Sequence, residues 1–277
     1  MYRDILVHLK SYEDWSPHID AAIALAVRSR AYLTGLFSLQ NLALLKQLTG
    51  EKASSAEILA KVQADADAAA SAMKARFEDA MTKRGVHGTF VVAEGRSNEL
   101  ISLYGRFHDL VVVEQTDATR DDLNWSTAEE AAVNCGRPTL IVPRHGRHEA
   151  AFTRILLAWN GSREATRALH AAMPLIEAAE SVALLEGRMR ETMASIVSAP
   201  GLDIASYLRR HAKNVEVVGH DVGDSGAAEA ILDTADKHRV DLIVMGALGR
   251  RGLSRLILGG ATERVLRASG VPVLAAH

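Results

Sequence analysis

Short apolar runs, ILVHL at 5–9, AYLTGLFSL at 31–39, GTFVVA at 88–93, DLVVV at 109–113 and TLIV at 139–142, are spaced along the first half of the chain. Between them lie longer stretches in which apolar residues recur at every third or fourth place. The runs read as strands and the stretches as amphipathic helices. The first helix begins with Pro17 in its first turn behind Ser16 as cap and runs through IDAAIALAVRSR. An alanine-rich stretch at 56–83 predicts a long helix with charges on its outer face, and Gly85 stops it. Shorter helices follow at 97–106 and 127–134. Alternation at this spacing predicts an open parallel sheet with helices on both faces, because every parallel connection needs a crossover.

A polar, turn-rich stretch, PRHGRHEAA at 143–151, reads as a linker, and the pattern then restarts. RILLAWNGS at 154–162 repeats the role of RDILVHLKS at 3–11, with REATRALHAAMPLIEAA as the helix behind it. Strands follow at 182–186, 215–219, 242–245 and 271–275, with a helical region at 188–214 interrupted by SAPG at 198–201, and a helix at 226–238. HDLVVVE…STAEEAAVNCGRPTLIVP in the first half matches VDLIVMG…GATERVLRASGVPVLAA in the second. The chain is an internal repeat. The expected fold is α/β, two tandem open parallel five-stranded sheets with helices on both faces, divided at 1–144 and 152–277.

The richest stretch is 241–276, where strand 242–245 enters a loop carrying Gly246, Gly249, Gly252, Gly259 and Gly260 before a helix from about Ala261. Glycines at the mouth of such a unit let backbone N–H groups approach phosphate oxygens, and the following helix directs its positive end at the same place. The stretch resembles the carboxyl-terminal signature of the universal stress protein family, in which Gly-x2-Gly-x9-Gly followed by Ser or Thr marks the ATP-binding members. Gly246, Gly249 and Gly259 fall on the three glycines, and GLSRLILG and ERVLRASGVPVL are also similar. Gly260 departs from the pattern: a hydroxyl donor is missing there, and the backbone N–H remains.

The resemblance covers both halves in layout and the second in motif. It implies a Rossmann-like, adenine nucleotide alpha hydrolase-like fold and a cofactor that is ATP or another adenine nucleotide, with or without Mg. It places phosphates on the N–H groups of Gly249, Gly259, Gly260 and Ala261, and the ribose near Gly246. Ala158, with the strand around 184–186, forms the adenine bed. Asn160 stands where the family has an Asp for the nucleoside; its amide can donate and accept at a base or ribose edge, and it equally suits an Asx turn or helix cap. Arg250 and Arg251 are candidate phosphate donors, and Ser254 reads as a cap within the loop. The fifth strands are implied to pair, 139–142 with 271–275, making an intrachain pseudo-dimer that is also able to form a homodimer.

The implied role is a regulatory stress-response factor whose nucleotide occupancy is read by a protein partner. An alternative is an interaction module without nucleotide, in which the changes at Asn160 and Gly260 mark lost binding. A slow ATP hydrolase is the weaker alternative, since there is no Walker Lys-Ser/Thr pair, no magnesium carboxylate in the second loop and no positioned base. No catalytic residue is assigned.

Composition narrows the partners. Among 277 residues, 32 basic and 34 acidic side chains leave a net charge of −2, so nothing favours nucleic acid or anionic membrane. The single cysteine, Cys135, excludes an intrachain disulfide, fits a reducing compartment and reads as a small apolar filler. No apolar window reaches about 18 residues, and no leader-like segment opens the chain, so the expected location is the cytoplasm. Glu114, Asp117, Asp121 and Asp122 replace the glycines in the first half and would repel a polyphosphate; they read as a solvated acidic loop, lacking the spacing of a calcium loop. His145 and His148 read as solvated linker residues. His220 and Asp221 are adjacent on an extended chain and point apart, so no acid–base pair is assigned to them.

Overall fold

The computed structural model describes residues 1–10, 15–39, 53–116, 127–146, 151–187, 203–219, 226–247, 249–251 and 256–277, by backbone alone at 53–59, 249–251 and 256–258. The apolar runs become strands buried on both faces, which is why they are nearly continuous in Leu, Ile and Val. The first half runs β1 (Asp4–Leu9), α1 (Pro17–Ser29), β2 (Tyr32–Leu39), α2 (Ala53–Lys83), β3 (Gly88–Glu94), α3 (Ser97–Gly105), β4 (Leu110–Glu114), α4 (Thr127–Asn134) and β5 (Thr139–Val142). The second runs β6 (Arg154–Trp159), α5 (Arg163–Ile176), β7 (Ser181–Glu186), α6 (Ile204–Leu208), β8 (Val215–Val218), α7 (Gly226–Lys237), β9 (Leu242–Gly246), β10 (Gly249–Arg251), β11 (Leu256–Leu258), α8 (Gly260–Ala268) and β12 (Val273–Ala276).

Ten of these strands form a single sheet in the order β3-β2-β1-β4-β5-β12-β9-β6-β7-β8. Every pairing is parallel except the central one, where β5 and β12 run antiparallel with Leu140 opposite Leu274. The expected two sheets are therefore one, joined at the fifth strands. The halves repeat in register: Ile5 lies between Leu33 and Leu110, and Ile155 between Val182 and Leu242. The Asp109 carboxylate accepts from the N–H of Arg3 (2.7 Å) and Asp4 (3.2 Å), as Asp241 does from Thr153 (2.7 Å) and Arg154 (2.9 Å). One core layer includes Val7, Leu9, Leu157 and Val244, and the other Leu6, Val113, Ile243 and Met245; each runs across both halves.

Expected boundaries hold to within a residue or two for most elements, and Gly85, at φ 65°, ends α2 as read. Three features differ. Ser16 occupies the cap position of α1, but its hydroxyl donates to the Glu114 carboxylate instead of accepting from the helix. Between β9 and α8 the expected loop carries an antiparallel ribbon, β10 with β11, in which Gly249 opposes Leu258. In the helical region at 188–214, the described part holds only the short α6, capped by Asp203, which accepts from the N–H of Ala205 (2.9 Å) and Ser206 (3.1 Å). Among the described residues no helix is long and apolar enough to cross a membrane.

Candidate ligand-binding site

Above the carboxyl ends of β6, β7 and β9, between α7 and the start of α8, lies a cavity of about 290 Å³. That is near the lower bound of small-ligand cavities, roughly 300–1,000 Å³. Its floor is built by strand ends: Ala158, Trp159 and Asn160 at the end of β6, Leu185, Glu186 and Gly187 at the end of β7, Met245 and Gly246 from β9. One wall is the Ala227, Ala230 and Ile231 stripe of α7, and the other is Gly259, Gly260, Ala261 and Thr262 at the head of α8.

Each edge has a local cause. At the exit of β6, Asn160 Oδ1 accepts from the Ser162 N–H (3.1 Å), Gly161 takes φ 70°, and Ser162 Oγ caps α5 by accepting from Ala165 N–H (3.1 Å). The Asx-turn reading of Asn160 is thus observed, and its amide N–H2 group remains at the exposed rim. Gly246 permits β9 to meet α5: a Cβ there would stand 2.6 Å from Ala165 N. The head of α8 differs from that of α5, because Gly259 offers no capping side chain. The first N–H groups of α8 thus have no side-chain cap, and the residues that carry them line the cavity.

Six of the residues singled out from the sequence, Ala158, Asn160, Gly246, Gly259, Gly260 and Ala261, come together on this cavity. Gly249 and Arg250 lie in the β10–β11 ribbon, with Arg251. Of the expected bed at 184–186, Leu185 and Glu186 line the cavity, whereas Leu184 packs into the core on the other face of the sheet, as strand alternation requires. Met245, Trp159 and Thr262 were not anticipated, nor were the α7 residues; the three- and four-residue spacing of Ala227, Ala230 and Ile231 is the signal that would have found the latter. Gly252, Ser254, His220, Asp221, Asp117, Asp121, Asp122 and His148 lie outside the described residues. Cys135 is buried beyond the end of α4, where burial pushes its thiol up, as a filler would be.

By strand register, the first half presents His8 at the position of Ala158, Lys10 at that of Asn160, Ser38 at that of Gly187 and Glu114 at that of Gly246. Small residues are replaced by large polar ones, and these bond to each other. His8 Nε2 meets Ser38 Oγ (2.9 Å), and Ser38 Oγ meets Ser97 Oγ (2.7 Å). His18 Nε2 donates to the His8 carbonyl (2.7 Å), while its Nδ1 meets Ser16 Oγ (3.0 Å). Glu114, expected in a solvated loop, is 4% exposed and pairs with Lys10 Nζ (3.0 Å) and Arg144 (4.0 Å). It is drawn inward because Ser16 and Lys10, remote in sequence, converge on it. Burial pushes His8 down to about 3 and lowers His18 as well, so both are neutral near pH 7.

A profile of the universal stress protein family (Usp) matches residues 151–277. A universal stress protein of Methanocaldococcus jannaschii is 32% identical over 85 residues, covering 30% of this chain and 50% of that protein. One from Synechocystis is 27% identical over 143 residues, covering 50% of this chain and 46% of that protein. The chain spans about half the length of these curated relatives. The crystal structure of a universal stress protein from Archaeoglobus fulgidus has the same fold, with a TM-score of 0.69 over 98% of this chain and 95% of that one at 16% identity. Residues 151–277 are thus a universal stress protein domain.

Proposed function

We propose that the second half binds an adenine nucleotide, ATP or its di- or monophosphate with or without Mg, and that its occupancy serves a regulatory role in stress response. The observation that carries this reading is the cavity whose wall is the uncapped head of α8. Backbone N–H groups at Gly260, Ala261 and Thr262 suit phosphate oxygens, and the apolar side chains of Ala158, Leu185, Met245 and Ile231 suit the face of a purine. The hydroxyl that Gly260 lacks is not needed for a backbone cradle. In this reading the chain divides into units 1–144 and 152–277, with ligand in the second and a protein partner sensing its occupancy. Glu114 and His8 fill the counterpart position in the first unit with the chain's own polar groups.

The test is the nucleotide content of the purified protein, released by denaturation and identified chromatographically, followed by ATP titration of the emptied protein. Near-stoichiometric adenine nucleotide is expected, with affinity lowered at least tenfold by Gly260→Asp. A Cβ at Gly260 meets nothing within 4 Å, so the variant folds while setting a carboxylate against the phosphates. An empty protein that ignores millimolar ATP would overturn the proposal and leave the interaction module.

A further inference from the structure

At the opposite edge of the sheet from the candidate site, where β1, β2 and β3 begin, a cleft of about 750 Å³ opens between the ends of α1 and α2. Arg3, Arg30, Arg84 and His87 line it, with Val27 and Tyr32 as an apolar side, 48% and 44% exposed. Among its described lining residues there is no carboxylate. Arg84 shares one exposed ion pair with Asp20 (3.1 Å), and among the described residues no carboxylate lies within ion-pair distance of Arg3 or Arg30. A chain of net charge −2 thus gathers an excess of guanidinium at one concave place.

Arginines at helix ends ordinarily answer to open carbonyls. Here the carbonyls are closed by backbone. After α1, Arg30 N–H and Ala31 N–H donate to Val27 O (3.3 Å) and Ala26 O (2.9 Å). After α2, Arg84 and Val86 N–H donate to Met81 O (3.1 and 2.9 Å), and Gly85 N–H to Thr82 O (3.1 Å). The guanidiniums are not consumed as caps. Arg30 also holds φ 52°, a left-handed turn that glycine would take without strain, so its long cationic side chain stands there against local backbone preference.

We propose that this cleft binds a small molecule bearing two or more phosphate groups, held by Arg3, Arg30 and Arg84, with its apolar body against Val27 and Tyr32. Guanidinium forks match phosphate oxygens in pairs, and such charge-assisted bonds are strong and salt-sensitive. The site is independent of the nucleotide cavity.

Calorimetric titration with pyrophosphate at low and physiological salt tests it, using wild type, an Arg3→Gln/Arg30→Gly double variant and Gly260→Asp. Arg30→Gly removes the cation while relaxing the turn, so the unfolding midpoint reports whether the double variant is folded. The cleft site is expected in wild type and in Gly260→Asp alike, more weakly at higher salt, and at least tenfold weaker in the folded double variant; any binding at the head of α8 is lost in Gly260→Asp alone. No binding by wild type at millimolar pyrophosphate, or equal binding by the double variant, would overturn the proposal. So would loss of all binding in Gly260→Asp, which would move the anion to the head of α8.

Discussion

Gly246 has no room for a side chain: a Cβ would come within 2.6 Å of Ala165 N and 2.7 Å of Glu164 C, both backbone atoms of α5. Gly246→Ala is expected to push the α5 head away and cost about 1–3 kcal/mol, read as a lower urea midpoint. A wild-type midpoint would show that β9 and α5 do not depend on this contact. In the first half the same position holds Glu114, and the buried His8 and His18 make that region acid-sensitive. Both are held neutral in the fold and protonate in the unfolded chain below about pH 6.5. For His8 the unfolded state therefore binds more protons as pH falls from about 6.5 toward 3, and stability, complete above that window, declines through it by up to about 1.4 kcal/mol per pH unit; His18, also lowered, acts in the same direction. Urea titrations between pH 7 and 4.5 should show this decline, and His8→Gln should make it shallower; parallel profiles would refute the assignment to His8. Nothing in TDATRDDLN or its neighbours distinguishes a buried Glu114 from a solvated one. The distinction lies with Ser16 and Lys10, 98 and 104 residues away.

At the scale of elements, α8 links the candidate cavity to the first half. Its head lines the cavity, and its last turn is tied down where Arg267 Nε donates to the buried Glu129 carboxylate of α4 (2.5 Å). The Gln115 side chain adds donations to the carbonyls of Leu266 and Ser269 (2.9 Å each). Arg267→Ala is expected to cost about 2–3 kcal/mol, below the roughly 3–5 of a fully buried broken pair because the guanidinium is 35% exposed. Nucleotide affinity should also fall severalfold, since the helix head shifts with its anchor, and Arg267→Lys should recover part of both. Stability lost with affinity unchanged would mean that the head is held by the strands alone. This helix was legible in the sequence from ERVLRAS behind the glycines, and β5 was legible to the residue. The β10–β11 ribbon was not, because strands of three residues among glycines carry neither alternation nor an apolar run. β12 begins at Val273, two residues later than its apolar run, after Pro272, which has no N–H to give a ladder.

The whole molecule turns on whether the antiparallel β5–β12 pairing joins two folding units or runs through one. Repetition in the sequence suggests two, and the strand order of each half is the same. Packing argues for one. Both core layers cross the join, Leu140 and Leu274 at its centre are fully buried, and contacts away from the sheet reinforce it: Tyr2 Oη donates to Ala171 O (2.7 Å), and Arg28 donates to Ala151 O (2.7 Å) while lying 5.6 Å from the Phe152 ring. Variants that retain only Trp15, in the first half, or only Trp159, in the second, should therefore unfold with coincident urea midpoints. Leu274→Ala separates the alternatives more sharply. It opens a cavity beside Leu140 and should cost about 2–5 kcal/mol. If the sheet unfolds as one unit, both tryptophan probes move together by that amount. If Trp159 alone moves, residues 1–144 and 152–277 are separate units that dock after folding, and nucleotide occupancy of the second would stabilise that unit without being felt at Trp15. A common shift instead means that ligand bound at α8 is transmitted as stability to the first half, which bears the arginine cleft.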